Sequence, residues 1–268
     1  MSVLVEIAIE DAAGLEIAAR GCADRVELCV DLGRGGLTPP PELVQEITER
    51  AAALVAAREA KPHFDVHTLI RSHAGTGDFL GQPAEFAYDA AQVQLMAEQA
   101  QQCVAAGAAG VVIGALTESG ELDLSSVRTI RDAALGAATD ALRGVHLTFH
   151  RALDTLPSRE ARVEAVRTLL GEGFHRVLSS GGAPRALDGA ADLRAMVEAA
   201  EELLDVCAGG GVRPADLREL VERSAVADIH LSARSSAAAS TTTVPAAAPP
   251  TRTDPAIVAA VVDIAGAL

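Results

Sequence analysis

Residues 146–151 read His-Leu-Thr-Phe-His-Arg. Leu147 and Phe149 alternate with His146, Thr148 and His150, the period of two that belongs to a β-strand. A parallel strand covered by helices should be apolar on both faces. Here one face is polar. The apolar face has to meet the helices, so the polar one points into an interior. The pattern recurs along the chain. Val3, Val5, Ile7 and Ile9 alternate with Glu6 and Glu10, and Val26 and Leu28 with Arg25, Glu27 and Cys29. His67 and Arg71 share a face, and Ile229 and Leu231 alternate with Asp228, His230 and Ser232.

Short apolar runs of this kind are expected at Val3–Ile9, Arg25–Asp31, His63–Arg71, Gly110–Leu116, His146–Arg151, Arg176–Ser180, Asp205–Gly209 and Asp228–Ser232. Longer amphipathic stretches separate them. Asp11, Asp123, Ser158, Asp188 and Asp254 stand where N-caps belong, and Thr38-Pro39 predicts a helix running to about Ala60. Another helix is expected over Ala84–Ala106, and Pro214 opens a short one to Ser224. Eight strands alternating with eight helices predict a single (β/α)8 TIM barrel, one domain over residues 1–268. An open doubly wound sheet is the rival, because periodicity does not reveal closure. Residues 233–253, ARSSAAASTTTVPAAAPPTRT, are small, polar and proline-rich, which predicts a flexible loop over the C-terminal mouth.

The chain has 268 residues, is 49% hydrophobic and carries a formal charge of −15. That charge argues against a nucleic-acid or anionic-membrane partner, and with no Trp, one Tyr and five Phe, base stacking has little to work with. Four cysteines with no CxxC pair make no disulfide framework. The first residues carry acids where a secretory signal needs bases, and no apolar run reaches the ~20 residues of a membrane span. A cytoplasmic protein with a small-molecule or metal-ion partner is expected.

Charges inside a barrel need partners. Glu6 and Glu27 are expected to pair with Arg71 across the interior, either as a structural network or as part of an active site. His150 and Arg151 lie at the C-terminal end of their strand, where barrel enzymes place their chemistry. A second group is glycine-rich. Ser180 and Gly181 follow the sixth strand, and Gly209, Gly210 and Gly211 the seventh. With Ser232 they are candidates for an anion site built from backbone N–H groups; tight βα turns would use the same glycines.

The strand-end strings ADRVELC (23–29), GGLTP (35–39), IR (70–71) with GDF (77–79), LTFHRALD (147–154), RVLSSGG (176–182), GGGVRPADL (209–217) and IHLSARSS (229–236) resemble the CutC family of copper homeostasis proteins. They run in the family's order over all but the last ~30 residues. The resemblance implies a (β/α)8 barrel, cytoplasmic and often homo-oligomeric, with copper(I) bound by soft cysteine ligands. It also implies a polar mouth made here by Glu6, Glu27, Arg71, His150, Arg151, Asp154 and His230. Two departures stand out. Ala8 replaces the cysteine that some relatives carry near the end of the first strand, leaving Cys29 as the candidate metal ligand. The run Arg71–Asp78, RSHAGTGD, is longer than its counterpart in the family.

Cu(I) prefers two or more thiolates or thioethers. Cys22 and Cys29 flank a strand and lie ~20 Å or more apart, so they do not share a metal. Two functions are therefore expected: a copper homeostasis protein that binds Cu(I), or a barrel enzyme acting on a small anionic or phosphorylated metabolite, with His150 or a glutamate as acid or base.

Overall fold

The computed structural model describes residues 3–75, 79–234 and 253–268. Eight parallel strands close a barrel in chain order: β1 (Leu4–Ile9), β2 (Arg25–Leu28), β3 (Asp65–Leu69), β4 (Gly110–Ile113), β5 (His146–Phe149), β6 (Arg176–Ser179), β7 (Asp205–Gly209) and β8 (Asp228–Leu231), which pairs back onto β1. Closure removes the open-sheet alternative. Helices α1 (Ala12–Arg20), α2 (Pro41–Ala56), α3 (Ala90–Ala105), α4 (Leu124–Asp140), α5 (Arg159–Gly171), α6 (Ala190–Ala200), α7 (Leu217–Ser224) and α8 (Pro255–Gly266) follow the strands in turn. Most of the expected flexible segment lies outside the described residues. Its two ends meet in an antiparallel bridge between Arg234 and Thr253.

The outward residues of the strands, among them Val5, Ile7, Ile9, Val26, Leu28, Leu147, Phe149 and Ile229, are buried in one continuous core against the helices. Each such side chain contributes ~1.5–3 kcal/mol on leaving water, and that choice of face forces their neighbours inward. Most strands end earlier than the hydrophobic runs suggest, because the last residues turn into the mouth loops.

Four helix starts carry the expected caps. Asp11 accepts from Gly14 N at 2.7 Å, Asp123 from Ser126 N at 3.1 Å, Ser158 from Ala161 N at 3.2 Å and Asp254 from Ala256 N at 2.9 Å. The other four differ: Pro214 opens a 3-10 turn, Pro214–Asp216, and α7 follows it from Leu217. Thr38 does not cap α2, which begins at Pro41 behind Pro40. Its hydroxyl instead accepts from Arg71 N (2.8 Å) and tethers β3's exit to the β2–α2 loop. The stretch expected to be one helix from Ala84 is a 3-10 turn, Pro83–Phe86, followed by α3 with a capping box between Asp89 and Gln92. Gly189, not Asp188, precedes α6 and offers no side-chain cap.

Inside the barrel, glycines on β4 and just beyond it make room for histidine rings. A Cβ on Gly110 would lie 2.7 Å from the His67 ring, and one on Gly114 would lie 2.4 Å from Cε1 of His150. The His150 ring cannot swing aside freely, since its Nδ1 accepts from Ala152 N at 3.2 Å and Phe86 lies against it at 5.2 Å between centroids. Gly114→Ala should therefore destabilise the protein by ~1–3 kcal/mol, the usual range for overpacking a filled interior. Urea denaturation checks this, and an unchanged midpoint would show that the ring has room to move.

Candidate functional site

The inward faces of β1, β5, β6 and β8 meet on the barrel axis around a guanidinium. Arg176 opens β6 and is fully buried. It donates to Glu6 Oε2 at 2.5 Å, to Asp228 Oδ2 at 3.0 Å and to Thr148 Oγ1 at 3.1 Å. Arg25 reaches the same two carboxylates, Asp228 at 3.0 Å and Glu6 at 3.7 Å. Glu6 Oε1 lies 2.7 Å from His230 Nδ1. Burial works to raise the Glu6 pKa, but Arg176, the bond to His230 and Arg25 together hold it well below the usual carboxylate range.

This corrects the expected pairing of Glu6 and Glu27 with Arg71. Arg71 lies two residues past the end of β3, above the floor, and its side chain turns to the mouth loops. There Nη1 donates to Gly35 O (3.2 Å), Nη2 contacts Glu85 at 3.5 Å, and the guanidinium lies 5.0 Å from the Phe86 ring centre. Arg176, which does the pairing, reads in sequence as one charge at the start of an apolar strand, a pattern equally suited to the rim.

Glu27 is 5% exposed, and its Oε2 has no hydrogen-bond partner. Burial pushes its pKa up. His230 is held between Glu27 and Glu6; burial opposes protonation, but the two carboxylates raise its pKa overall. The strand register places these groups together: Glu6 faces His230 across β1–β8, and Ala8 faces Glu27 across β1–β2.

The β6–α6 loop was an anion-site candidate, and its donors are already used by an internal anion. Asp154 accepts from Ser179 Oγ (2.5 Å), Ser180 N (2.9 Å), Ser180 Oγ (2.9 Å) and Gly182 N (3.2 Å), while Gly181 N donates to Ser179 Oγ at 2.9 Å. Ser180 and Gly181 are thus occupied by the chain itself, and Asp154 holds Arg151 through Nε at 2.8 Å. Gly209 sits under Leu178, which a Cβ there would meet at 2.6 Å.

Above the floor opens a cavity of about 480 Å³. Of the candidates, Glu27, Arg71, His150, Arg151, Gly210, Gly211, His230 and Ser232 line it. Glu6, Asp154, Ser180, Gly181, Gly209 and Cys29 lie outside its lining. One wall is a pair of stacked cations that the sequence did not reveal. Phe79 and Phe86 meet edge to face at 5.3 Å, with Arg151 over the first at 4.8 Å and Arg71 over the second. Gly210, at φ +102°, passes under Arg151, where a Cβ would lie 2.9 Å from the guanidinium. His150 is buried, and burial, with Arg71 next in effect, lowers its pKa to about 3. Because Nδ1 accepts from Ala152, Nε2 carries the proton, and Nε2 has no partner. His150 is a neutral donor near pH 7.

Cys29 does not fit a copper(I) site. Its thiol is buried against Leu69 and Val112 and donates to Ile9 O at 3.7 Å. Burial, then the charges of Glu27 and Glu10, push its pKa well above that of a free thiol. The second thiolate position on β1 is Ala8, and Cys207 lies in β7, across the barrel.

The sequence profile of the CutC family matches residues 3–235. A family protein CutC of Caulobacter vibrioides is 37% identical over 228 residues, covering 85% of this chain and 80% of that protein. One of Agrobacterium fabrum is 36% identical over 229 residues, covering 85% and 78%. The crystal structure of a CutC protein of Streptococcus agalactiae, provisionally named for copper homeostasis, superposes with a TM-score of 0.71 at 24% identity, over 86% of this chain and 98% of that one. Phosphoribosylanthranilate isomerase of Pyrococcus furiosus, at 0.55 and 14% identity, shares the barrel alone.

Two outcomes follow from the electrostatics. Arg176→Met leaves Glu6 and Asp228 buried with fewer counter-charges and should destabilise the fold by ~3–5 kcal/mol, measured by urea denaturation. For His150 the folded pKa of about 3 lies below the ordinary 6.5. The unfolded chain therefore binds the extra proton, and this stability is complete above pH 6.5 and falls as the pH drops toward 3. Between pH 7 and 5 the residue should account for ~2 kcal/mol of lost stability. His150→Asn should shrink the pH 7-to-5 difference in unfolding free energy, and an equal difference in both proteins would contradict the assignment.

Proposed function

The chain belongs to the CutC family, and we propose that it serves copper homeostasis by binding a small anionic molecule, carrying a carboxylate or a phosphate, at the mouth of the barrel. The observation that carries this reading is Arg71. It lines the cavity at 4% exposure, yet its Nε has no partner and its contact with Glu85 is a long 3.5 Å. A buried guanidinium with donors to spare favours a carboxylate or phosphate, to which it can bond with two parallel N–H groups. Arg151 stands beside it, oriented by Asp154 and Ser180. Gly210 and Gly211 let a ligand approach the backbone, and the neutral Nε2–H of His150 is a further donor.

The copper homeostasis role comes from the family and from the name of the streptococcal relative. Capture of Cu(I) by Cys29 is not part of the reading, because a single, buried and protonated thiol is a poor soft ligand. A cytoplasmic location accords with the cysteine usage, and no helix of the described residues is long and apolar enough to cross a membrane.

Two measurements test this. Inorganic phosphate and small dicarboxylates should raise the melting temperature of the wild type, with ~2.7 kcal/mol of added stability at a hundredfold excess over Kd. Arg71→Met should lose that response. In an anaerobic competition titration, wild type and Cys29→Ser should give up Cu(I) to a chelator equally well. Absence of any anion response would overturn the small-anion reading, and tight Cu(I) retention that depends on Cys29 would restore the thiol as the copper ligand.

A further inference from the structure

The charges on the barrel floor leave one group over. Glu6 and Asp228 are matched by Arg176 and Arg25, four side chains in one connected set. Glu27 enters no ion pair among the described residues and keeps Oε2 unpartnered at 5% exposure. A buried carboxylate oxygen in that state is a donor atom without a partner. His230 is next to it, and Glu6 beyond His230. One ligand atom from each of Glu6, Glu27 and His230 can lie within 4.8 Å of the other two. With metal–oxygen and metal–nitrogen bonds of ~2.0–2.2 Å, that spacing fits three ligands around one ion after small side-chain adjustments.

We propose that Glu6, Glu27 and His230 bind one divalent cation of borderline hardness on the floor of the mouth cavity. Two carboxylate oxygens and one imidazole nitrogen are a donor set for Zn(II), Mn(II) or Fe(II), and a poor one for Cu(I), which selects sulfur. The surroundings are those of a built site. Arg176 grips the far oxygen of Glu6 and fixes its orientation, as outer partners do for metal ligands. Ala8, opposite Glu27 in the register, lines the cavity beside it. Glu27 and His230 both line the cavity, so the coordination positions that the protein does not fill face that space. Arg71 and Arg151 line the same cavity. An anion held there could place an oxygen on the cation, so the inference rests on the reading of the mouth as a small-anion site and adds a second point of attachment to it.

The test is a chelator-competition titration of the full chain with Zn(II) and Mn(II), without added anion. Wild type should hold one Zn(II) per chain. Glu27→Gln and His230→Asn should each weaken binding at least tenfold, while Cys29→Ser and Arg71→Met should retain it. Equal Zn(II) affinity in wild type and both ligand variants would overturn the site, as would the lack of stoichiometric binding by the folded wild type. Should a ligand variant not fold, the Co(II) spectrum of the wild type decides: nitrogen and oxygen coordination is expected, and a thiolate charge-transfer band would refute it. The phosphate melting shift, measured without metal, separates the two proposals. If the shift persists while Zn(II) fails to bind, only the cation site falls. If Zn(II) binds while no anion raises the melting temperature, the small-anion reading falls.

Discussion

A buried guanidinium on the barrel axis organises the interior. Arg176 starts β6 and reaches across to carboxylates on β1 and β8 and to the hydroxyl of Thr148 on β5. An arginine at that depth is tolerable only because every strand it touches supplies an acceptor; without them its desolvation would cost several kcal/mol. The acids in turn require the guanidinium. This mutual dependence fixes which residues can rise above the floor. Arg176 holds Glu6 through Oε2, which turns its other oxygen to His230 Nδ1, and Glu27 on the adjacent strand faces the cavity.

The same economy operates one layer higher. The loop after β6 has the serine hydroxyls and free amides of an anion site, but Asp154 fills it from within the chain. The internal carboxylate closes that loop and, by holding Arg151 over Phe79, transfers its anion-binding capacity to the cavity wall. Arg71 is held on Phe86 in the matching way. The mouth thereby carries two stacked cations and, in the same lining, a carboxylate–imidazole group.

Steric matching completes the site. Histidine rings occupy the inward positions of β3 and the end of β5 because their neighbours on β4 and just past it are glycines. Ala8 lines the cavity beside Glu27. In a relative with cysteine there, a thiol would line the same space. The lone thiol of Cys29 lies just past the end of β2, in an apolar cluster with Leu69 and Val112, where burial keeps it protonated.

The fold was legible in the sequence because two local signals suffice for it. A period of two with one polar face marks barrel strands, and capping residues such as Asp11, Asp123, Ser158 and Asp254 mark the helices between. The strand-end motifs pointed to the family for a related reason, since each is short and contiguous. Much of the inward set was legible too, as alternation decides the face, though Arg176 was not among the residues it singled out. What the sequence did not determine is which inward residues touch. Arg71 and Arg176 both lie on inward faces, and only barrel closure, strand tilt and register put Arg176 between Glu6 and Asp228 while turning Arg71 to Glu85 and Phe86. Likewise, nothing local in LTFHRALD says that Asp154 will occupy the amides of a loop some 25 residues on. Pairing across a barrel depends on distances between strands far apart in the chain, and those distances exist only once the sheet has closed.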